Sequence, residues 1–134
     1  MSIPDGYSTD PGFDAAEDHN GPFYYQKDGE HFDCVFMPEA KNCNVNGTVH
    51  GGVLMTFADF ALCIAATNHY EEESCATVSF HADFTAAARE GNLVSCRPEV
   101  TRKTGTMVFV SGKVISDEQI VMTFSAVVKR LFPR

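Results

Sequence analysis

Between Gly51 and Asn68 the chain reads GGVLMTFADFALCIAATN, and the one charged residue in that run is Asp59. The length of the run and its lack of β-branched clustering favour a helix. Apolar residues lie on all its sides, the pattern of a helix enclosed by protein, and the run is too short and interrupted to span a bilayer comfortably. An ionised carboxylate in such a helix is costly unless it is paired or hydrogen-bonded. The residues three and four positions away are Met55, Thr56, Leu62 and Cys63, so no intrahelical ion pair can rescue it. Two readings follow: a catalytic carboxylate facing a pocket, or an Asp satisfied by backbone amides or by a hydroxyl such as that of Thr56.

Just upstream runs Asn44-Val45-Asn46-Gly47-Thr48-Val49-His50-Gly51-Gly52. Two glycines opening a helix let a ligand approach the first-turn N–H groups closely. Those groups lack intrahelical partners and sit at the positive end of the helix dipole, so they can bind an anion or polarise a carbonyl oxygen. Asn44 and His50 add side-chain donors. The plainer alternative is that Gly51-Gly52 only permits close packing while His50 fills a core position. Asp59 follows Gly51 by eight residues, just over two turns, which returns it near the same flank.

Several elements must position these groups. Residues 1–22, rich in Pro, Gly, Asp and Ser, read as an N-terminal arm, with a short helix capped at Asp10-Pro11 and running to about Asn20. Residues 23–37 predict two short strands around the Asp28-Gly29 turn, their aromatics contributing strand core or a substrate pocket. After the helix the period changes from 3.6 to 2. Thr77 to Thr85 alternates without a break, and strands follow over 93–102, with Pro98 marking an edge or bulge, 106–115 and 119–132. Tight turns between four consecutive strands impose antiparallel neighbours. The expected architecture is α+β, one domain over residues 23–134, an antiparallel sheet wrapped around one long central helix: the hotdog arrangement. One sheet cannot cover every side of that helix, so a second copy is expected to complete the burial.

The composition agrees with a globular domain. In 134 residues, 44% are hydrophobic and 21% charged, and the formal net charge is -8. The acidic balance argues against nucleic-acid binding. Charge is uneven, with nine acidic and two basic residues in 1–50 and four acidic against eight basic in 89–134. The later stretch would tolerate a phosphate-bearing ligand. Five cysteines without a C-x-x-C pair suggest reduced thiols in a cytoplasmic setting, and the N-terminus shows no signal peptide. His19, His31, His69 and His81 have no metal-site spacing, so no metal is expected. Glu71-Glu72-Glu73 reads as a solvated loop.

The run His50-Gly51-Gly52 with Asp59, inside NVNGTVHGGVLMTFADFA, resembles the signature of hotdog-fold acyl-CoA thioesterases of the PaaI-like type, and the likeness extends over roughly residues 40–131. The resemblance implies hydrolysis of a thioester to coenzyme A and a carboxylic acid. It puts Asp59 at the position of the nucleophile or general base and Gly51 at the position whose N–H polarises the thioester carbonyl. Asn44 and His50 match positions that orient the thioester or the attacking water, and Thr77 matches one that supports the water or the carboxylate. It further implies a site across the interface of a homodimer or a dimer-of-dimers tetramer, with no cofactor beyond the coenzyme A of the substrate. Arg89, Arg102 and Lys103, basic residues near loops of the positive segment, are candidates for the coenzyme A phosphates. Met55, Phe57 and Phe60 are expected to set pocket depth.

Rivals on the same fold are a non-catalytic acyl-CoA binder, a hydratase-type enzyme using His50 with Asp59, and a structural subunit with no ligand. No membrane or nucleic-acid partner is expected.

Overall fold

The elements that carry the alternating and helical patterns are laid out in a computed structural model describing residues 2–133. In chain order they are α1 (Ala15–Asn20), β1 (Tyr24–Asp28), β2 (His31–Phe36), a 3-10 turn (Ala40–Asn42), α2 (Gly51–Thr67), β3 (Ser74–Phe84), β4 (Val94–Cys96), β5 (Glu99–Lys103), β6 (Met107–Ser116) and β7 (Gln119–Leu131). All strand pairings are antiparallel, in the order β1-β2-β4-β6-β7-β3, with β5 also on β6. The sheet wraps α2, and the α+β hotdog expectation is met.

The packing follows from period 2. Met122, Phe124, Ala126 and Val128 of β7 and Val108, Val110 and Val114 of β6 are all buried and share the core with α2. At the other end of the core Phe57 of α2 meets Phe23 and Phe36, with ring centroids 5.4 and 4.8 Å away. Phe23, Phe32 and Phe36 are core residues, as the strand reading of that segment expects.

Three expectations about the strands and arm need correction. First, β3 does not pair with β4; it lies at the far edge of the sheet against β7. The intervening backbone is spent on the segment that leads into α2: Val49 N–H donates to Ala88 O at 2.8 Å, and Thr48 bridges Arg89. Second, the predicted strand over 93–102 is two strands. Pro98 has no N–H to give a ladder, so β4 pairs with Val114–Ser116 and β5 with Val108–Ser111. Third, α1 is capped by Asp14, which accepts from Glu17 N–H at 3.0 Å. Asp10 instead accepts from the Tyr25 hydroxyl and meets His69 Nε2 at 2.7 Å, which holds the arm against the domain.

The Glu71–Glu73 loop also differs from its reading. Glu71 and Glu72 are exposed, but Glu73 is sunk between Arg130, whose two nitrogens donate at 2.8 and 2.9 Å, and Lys103 at 3.1 Å. These cations hold its carboxyl below the ordinary carboxylate range.

Candidate active site

Within one chain α2 is not enclosed on every side. Gly52, Met55, Thr56 and Asp59 recur at three- and four-residue spacing and remain exposed or half-exposed, while most of the helix from Val53 to Thr67 is buried. The lone carboxylate thus lies on the one open stripe. Thr56 does not satisfy it, because its hydroxyl donates back to Gly52 O at 2.9 Å. The donor is Thr77, whose Oγ1 lies 2.6 Å from Asp59 Oδ1. The Cys63 thiol, one turn on, is 3.9 Å from the same oxygen and 3.7 Å from Thr77 Oγ1. Asp59 Oδ2 has no hydrogen-bond partner among the described residues. One oxygen is therefore oriented and the other is without a partner among the described residues.

Thr77 reaches Asp59 at an irregularity. The register of β3 on β7 runs Thr77 with Val128 and then Ser79 with Val127, so Val78 is an extra residue. Such a bulge re-aims side chains and is frequent beside active sites. Cys75 and Thr77 face α2 before it, Phe80 and Ala82 pack on the core after it, and Val78 is 54% exposed.

At the helix start His50 is exposed, not a core residue. It is the N-cap of α2, its Nδ1 accepting from Gly52 N–H at 3.0 Å. That leaves the Gly51 N–H without a hydrogen-bond partner among the described residues. A Cβ at Gly51 would come within 3.0 Å of Phe84 Cζ, so this first turn lies against the tip of that ring. The loop before it is shaped by Asn44, whose Oδ1 accepts from Asn46 N–H at 2.9 Å and from the Thr48 N–H and hydroxyl at 3.2 Å. Asn42 is buried and ties this loop to the end of α1 by donating to Asn20 O at 2.7 Å.

A further carboxyl looks onto this region from the arm. Glu17 of α1 is pushed up to about 7, chiefly by burial and then by the charges of Asp14, Asp59 and Asp18. It lines a cavity of about 20 Å³ with Asp10, Phe13, Phe23, Phe60 and Tyr70. Tyr70 is delivered there by a left-handed turn, Asn68, His69 and Tyr70 having φ of 51°, 57° and 58°. Such backbone costs roughly 1–2 kcal/mol per residue. It is held by Tyr70 N–H donating to Thr67 Oγ1, by Lys27 donating to Asn68 and by the His69 contact with Asp10.

Between pH 4.5 and 7 the folded chain keeps a proton on Glu17 that the unfolded chain has released. Stability from this group therefore falls as pH rises through that window and levels off above it. Because the side chain is about half exposed, screening holds the effect to about 1 kcal/mol. Glu17→Gln is expected to raise the melting temperature by about 2–4 °C at pH 8, the gain shrinking toward zero near pH 4.5. An equal gain at both pH values in a thermal melt would refute it.

The structure brings Asp59 and Thr77 together, and it gathers Asn44, His50, Gly51 and the exposed Arg89 around the helix start. Arg102 and Lys103 lie toward the other end of α2, where Lys103 donates to Ala66 O at 3.0 Å and pairs with Glu73. Met55 is on the open stripe, but Phe57 is wholly buried in the core. Sequence reasoning missed Cys63, Glu17, Tyr70 and Phe84. Cys63 alone had a signal, its i+4 spacing from Asp59. Among the described residues no three His, Cys, Asp or Glu side chains converge as a metal site requires.

A long central helix inside a hotdog sheet carries a threonine-held carboxylate on its open stripe, and comparison with known proteins gives the class, that of thioester hydrolases. The profile of the thioesterase superfamily matches residues 46–123, and the chain belongs to that family. It is 32% identical over 131 residues to a Pseudomonas aeruginosa protein named "Putative esterase PA0474", covering 95% of this chain and 96% of that protein. Solved structures share the fold. The E. coli PaaI protein of the phenylacetic acid degradation operon superposes with a TM-score of 0.80 at 16% identity, over 89% of this chain and 86% of that one. The smu.793 protein of Streptococcus mutans, solved bound to acetyl CoA, gives 0.75 at 16% identity, over 84% and 90%. No helix among the described residues is long and apolar enough to cross a membrane.

Proposed function

We propose that this chain is an acyl-CoA thioesterase that hydrolyses a thioester to coenzyme A and a carboxylic acid, in sites completed by a second copy. The observation that carries the reading is Asp59, held by Thr77 on the one open stripe of an otherwise buried helix. Asp59 Oδ2 either attacks the thioester carbonyl carbon or takes a proton from the attacking water, while Thr77 fixes Oδ1. The sulfur of coenzyme A then leaves with its bonding pair and takes a proton from water, directly or through Asp59; where Asp59 has attacked, a water next cleaves the mixed anhydride, releasing the carboxylic acid and restoring the carboxylate. The free Gly51 N–H, at the positive end of α2, stabilises the oxyanion that forms on the carbonyl oxygen.

Geometry argues for two chains. Eight residues of helix rise about 12 Å, too far for Gly51 and Asp59 of one α2 to act on one carbonyl. In addition, β3 is an 11-residue edge strand with Val78 and Phe84 more than half exposed, an edge that a single chain leaves unpaired. A homodimer, alone or paired into a tetramer, closes that edge and brings one chain's helix start to the other's Asp59. Asn44 and His50 shape the loop that meets the thioester. Arg89, beside that loop, would meet the coenzyme A phosphates, whereas Arg102 and Lys103 would meet them only in the assembly. No cofactor is needed beyond the coenzyme A the substrate carries, and five free cysteines suit a cytoplasmic setting.

The test is thiol release from short-chain, long-chain and aromatic acyl-CoAs. Turnover on at least one is expected. Saturable binding without turnover on any would instead establish a non-catalytic acyl-CoA binder.

A further inference from the structure

Past the C-terminal end of α2 lies a groove of about 800 Å³. Its apolar walls are Phe13 of the arm, Tyr70 of the left-handed turn, Leu131 at the end of β7 and Phe132 after it. Phe13, Leu131 and Phe132 are 59%, 42% and 55% exposed. Single exposed apolar side chains are ordinary on a protein surface, but a cluster around a concavity marks a binding surface. These walls are also fixed. The Phe13 and Tyr70 rings lie 4.8 Å apart, and the arm that carries Phe13 is tied down by two backbone hydrogen bonds between Ser8 and Tyr25, each 2.8 Å. Phe132 lies against the Arg130 guanidinium, 4.7 Å from its ring centroid, and that guanidinium is held in turn by Glu73.

The groove is continuous with the Asp59 site. Ser74, which opens β3, lines it, and Thr77 follows three residues later, ~10 Å along the strand. On the helix side, Tyr70 N–H donates to Thr67 Oγ1 at 2.9 Å, and the Thr67 hydroxyl donates to Cys63 O at 2.7 Å, one turn beyond Asp59. Cys63 and Thr67 are buried but Cys75 and Thr77 only half-buried, so the open path from the carboxylate to the groove follows β3. The way inward is shut. Behind Phe13 and Tyr70 the cavity beside Glu17 measures about 20 Å³, room for about one water.

Charge sets a second limit. Glu73 is neutralised by Arg130 and Lys103, whereas Glu71 and Glu72 stand exposed at the groove with no cation paired to either among the described residues. A carboxylate brought here meets like charge.

We propose that this groove holds the far end of the acyl chain. An extended chain gains about 1.25 Å per carbon, so the substrate class is an acyl-CoA of about eight carbons or more, apolar to its tip and without a terminal carboxylate. The preference in turnover rests on the thioesterase reading; the affinity of the groove for an alkyl chain does not.

The experiment compares kcat/KM of the full chain on butyryl-, decanoyl- and decanedioyl-CoA. Decanoyl-CoA is expected to exceed each of the others by about tenfold or more. Phe13→Ser combined with Phe132→Ser, at positions more than half exposed and with folding checked by circular dichroism, should cut the decanoyl-to-butyryl ratio by about fivefold or more. Glu71→Gln combined with Glu72→Gln should cut the decanoyl-to-decanedioyl ratio by about threefold or more, as should raised salt. Equal values on decanoyl- and butyryl-CoA overturn the proposal, as does a ratio that the serine double variant leaves unmoved. A decanoyl-to-decanedioyl ratio indifferent to the glutamine double variant overturns the charge limit. If no acyl-CoA is turned over, the thioesterase reading fails and calorimetry decides the groove by itself. Tighter binding of S-decyl-CoA than of S-butyl-CoA, lost in the serine double variant, upholds it; equal affinities overturn it.

Discussion

Asp59→Asn is expected to lower turnover of a responsive acyl-CoA by about 10²–10⁴-fold while leaving the chain folded. Asn keeps the size of the side chain and can still accept the Thr77 hydrogen bond at 2.6 Å. What it loses is the charge and lone-pair basicity of Oδ2, the oxygen without a partner among the described residues. Steady-state thiol release, with circular dichroism as the folding control, reads both halves of the claim. A variant retaining more than a tenth of the native rate would remove Asp59 from the chemistry. A mixing experiment tests the two-chain site directly. Gly51→Pro deletes the first-turn N–H at a position where helices tolerate proline, and His50 already has the extended backbone a preceding residue needs, with φ -60° and ψ 134°. Each variant alone should be nearly inactive. Co-refolded in equal amounts, they should recover about a quarter of native activity, because half the dimers then hold one intact site. No recovery would argue that Gly51 and Asp59 serve the same chain.

Phe57→Ala is expected to cost about 3–5 kcal/mol of stability, a large part of the ~5–15 kcal/mol available to a domain. Phe57 is fully buried and its ring lies 4.8 Å from Phe36, 5.4 Å from Phe23 and 6.4 Å from Phe60. It therefore joins α2 to β2 and to the segment leading into β1. These rings belong to separate elements and cannot all collapse into the space, so a cavity penalty adds to the lost transfer energy. Urea unfolding measures the loss. A change below ~1 kcal/mol would mean that the cluster relaxes into the gap.

Much of this was legible in the residues. An apolar run of helical length with a single charge marks both α2 and Asp59, and clean alternation marks β3, because burial imposes those periods locally. What the chain could not show is who pairs with whom at long range. Glu73 looks solvated until Arg130, 57 residues away, is folded against it. β3 looks like the neighbour of β4 until the residues between them are seen to bind the segment before α2. The left-handed turn at Asn68–Tyr70 contains no glycine to announce it. Its hydrogen bonds and aromatic contacts, not its residue types, hold it. Glu17 and Tyr70 come near Asp59 only through that turn and the docked arm, whereas Cys63 follows it by one turn of the same helix.

The extra residue at Val78 has a consequence for how such a chain can change. A strand of strict period 2 locks every inward position to every other, so a residue gained or lost in one half inverts the other half. The irregularity acts as a phase joint: upstream, Thr77 holds the carboxylate, and downstream, Phe80 and Ala82 pack on the core. Across that joint the two halves can be tuned separately. The half beside Asp59 can drift in sequence while the half that packs on the core keeps its register.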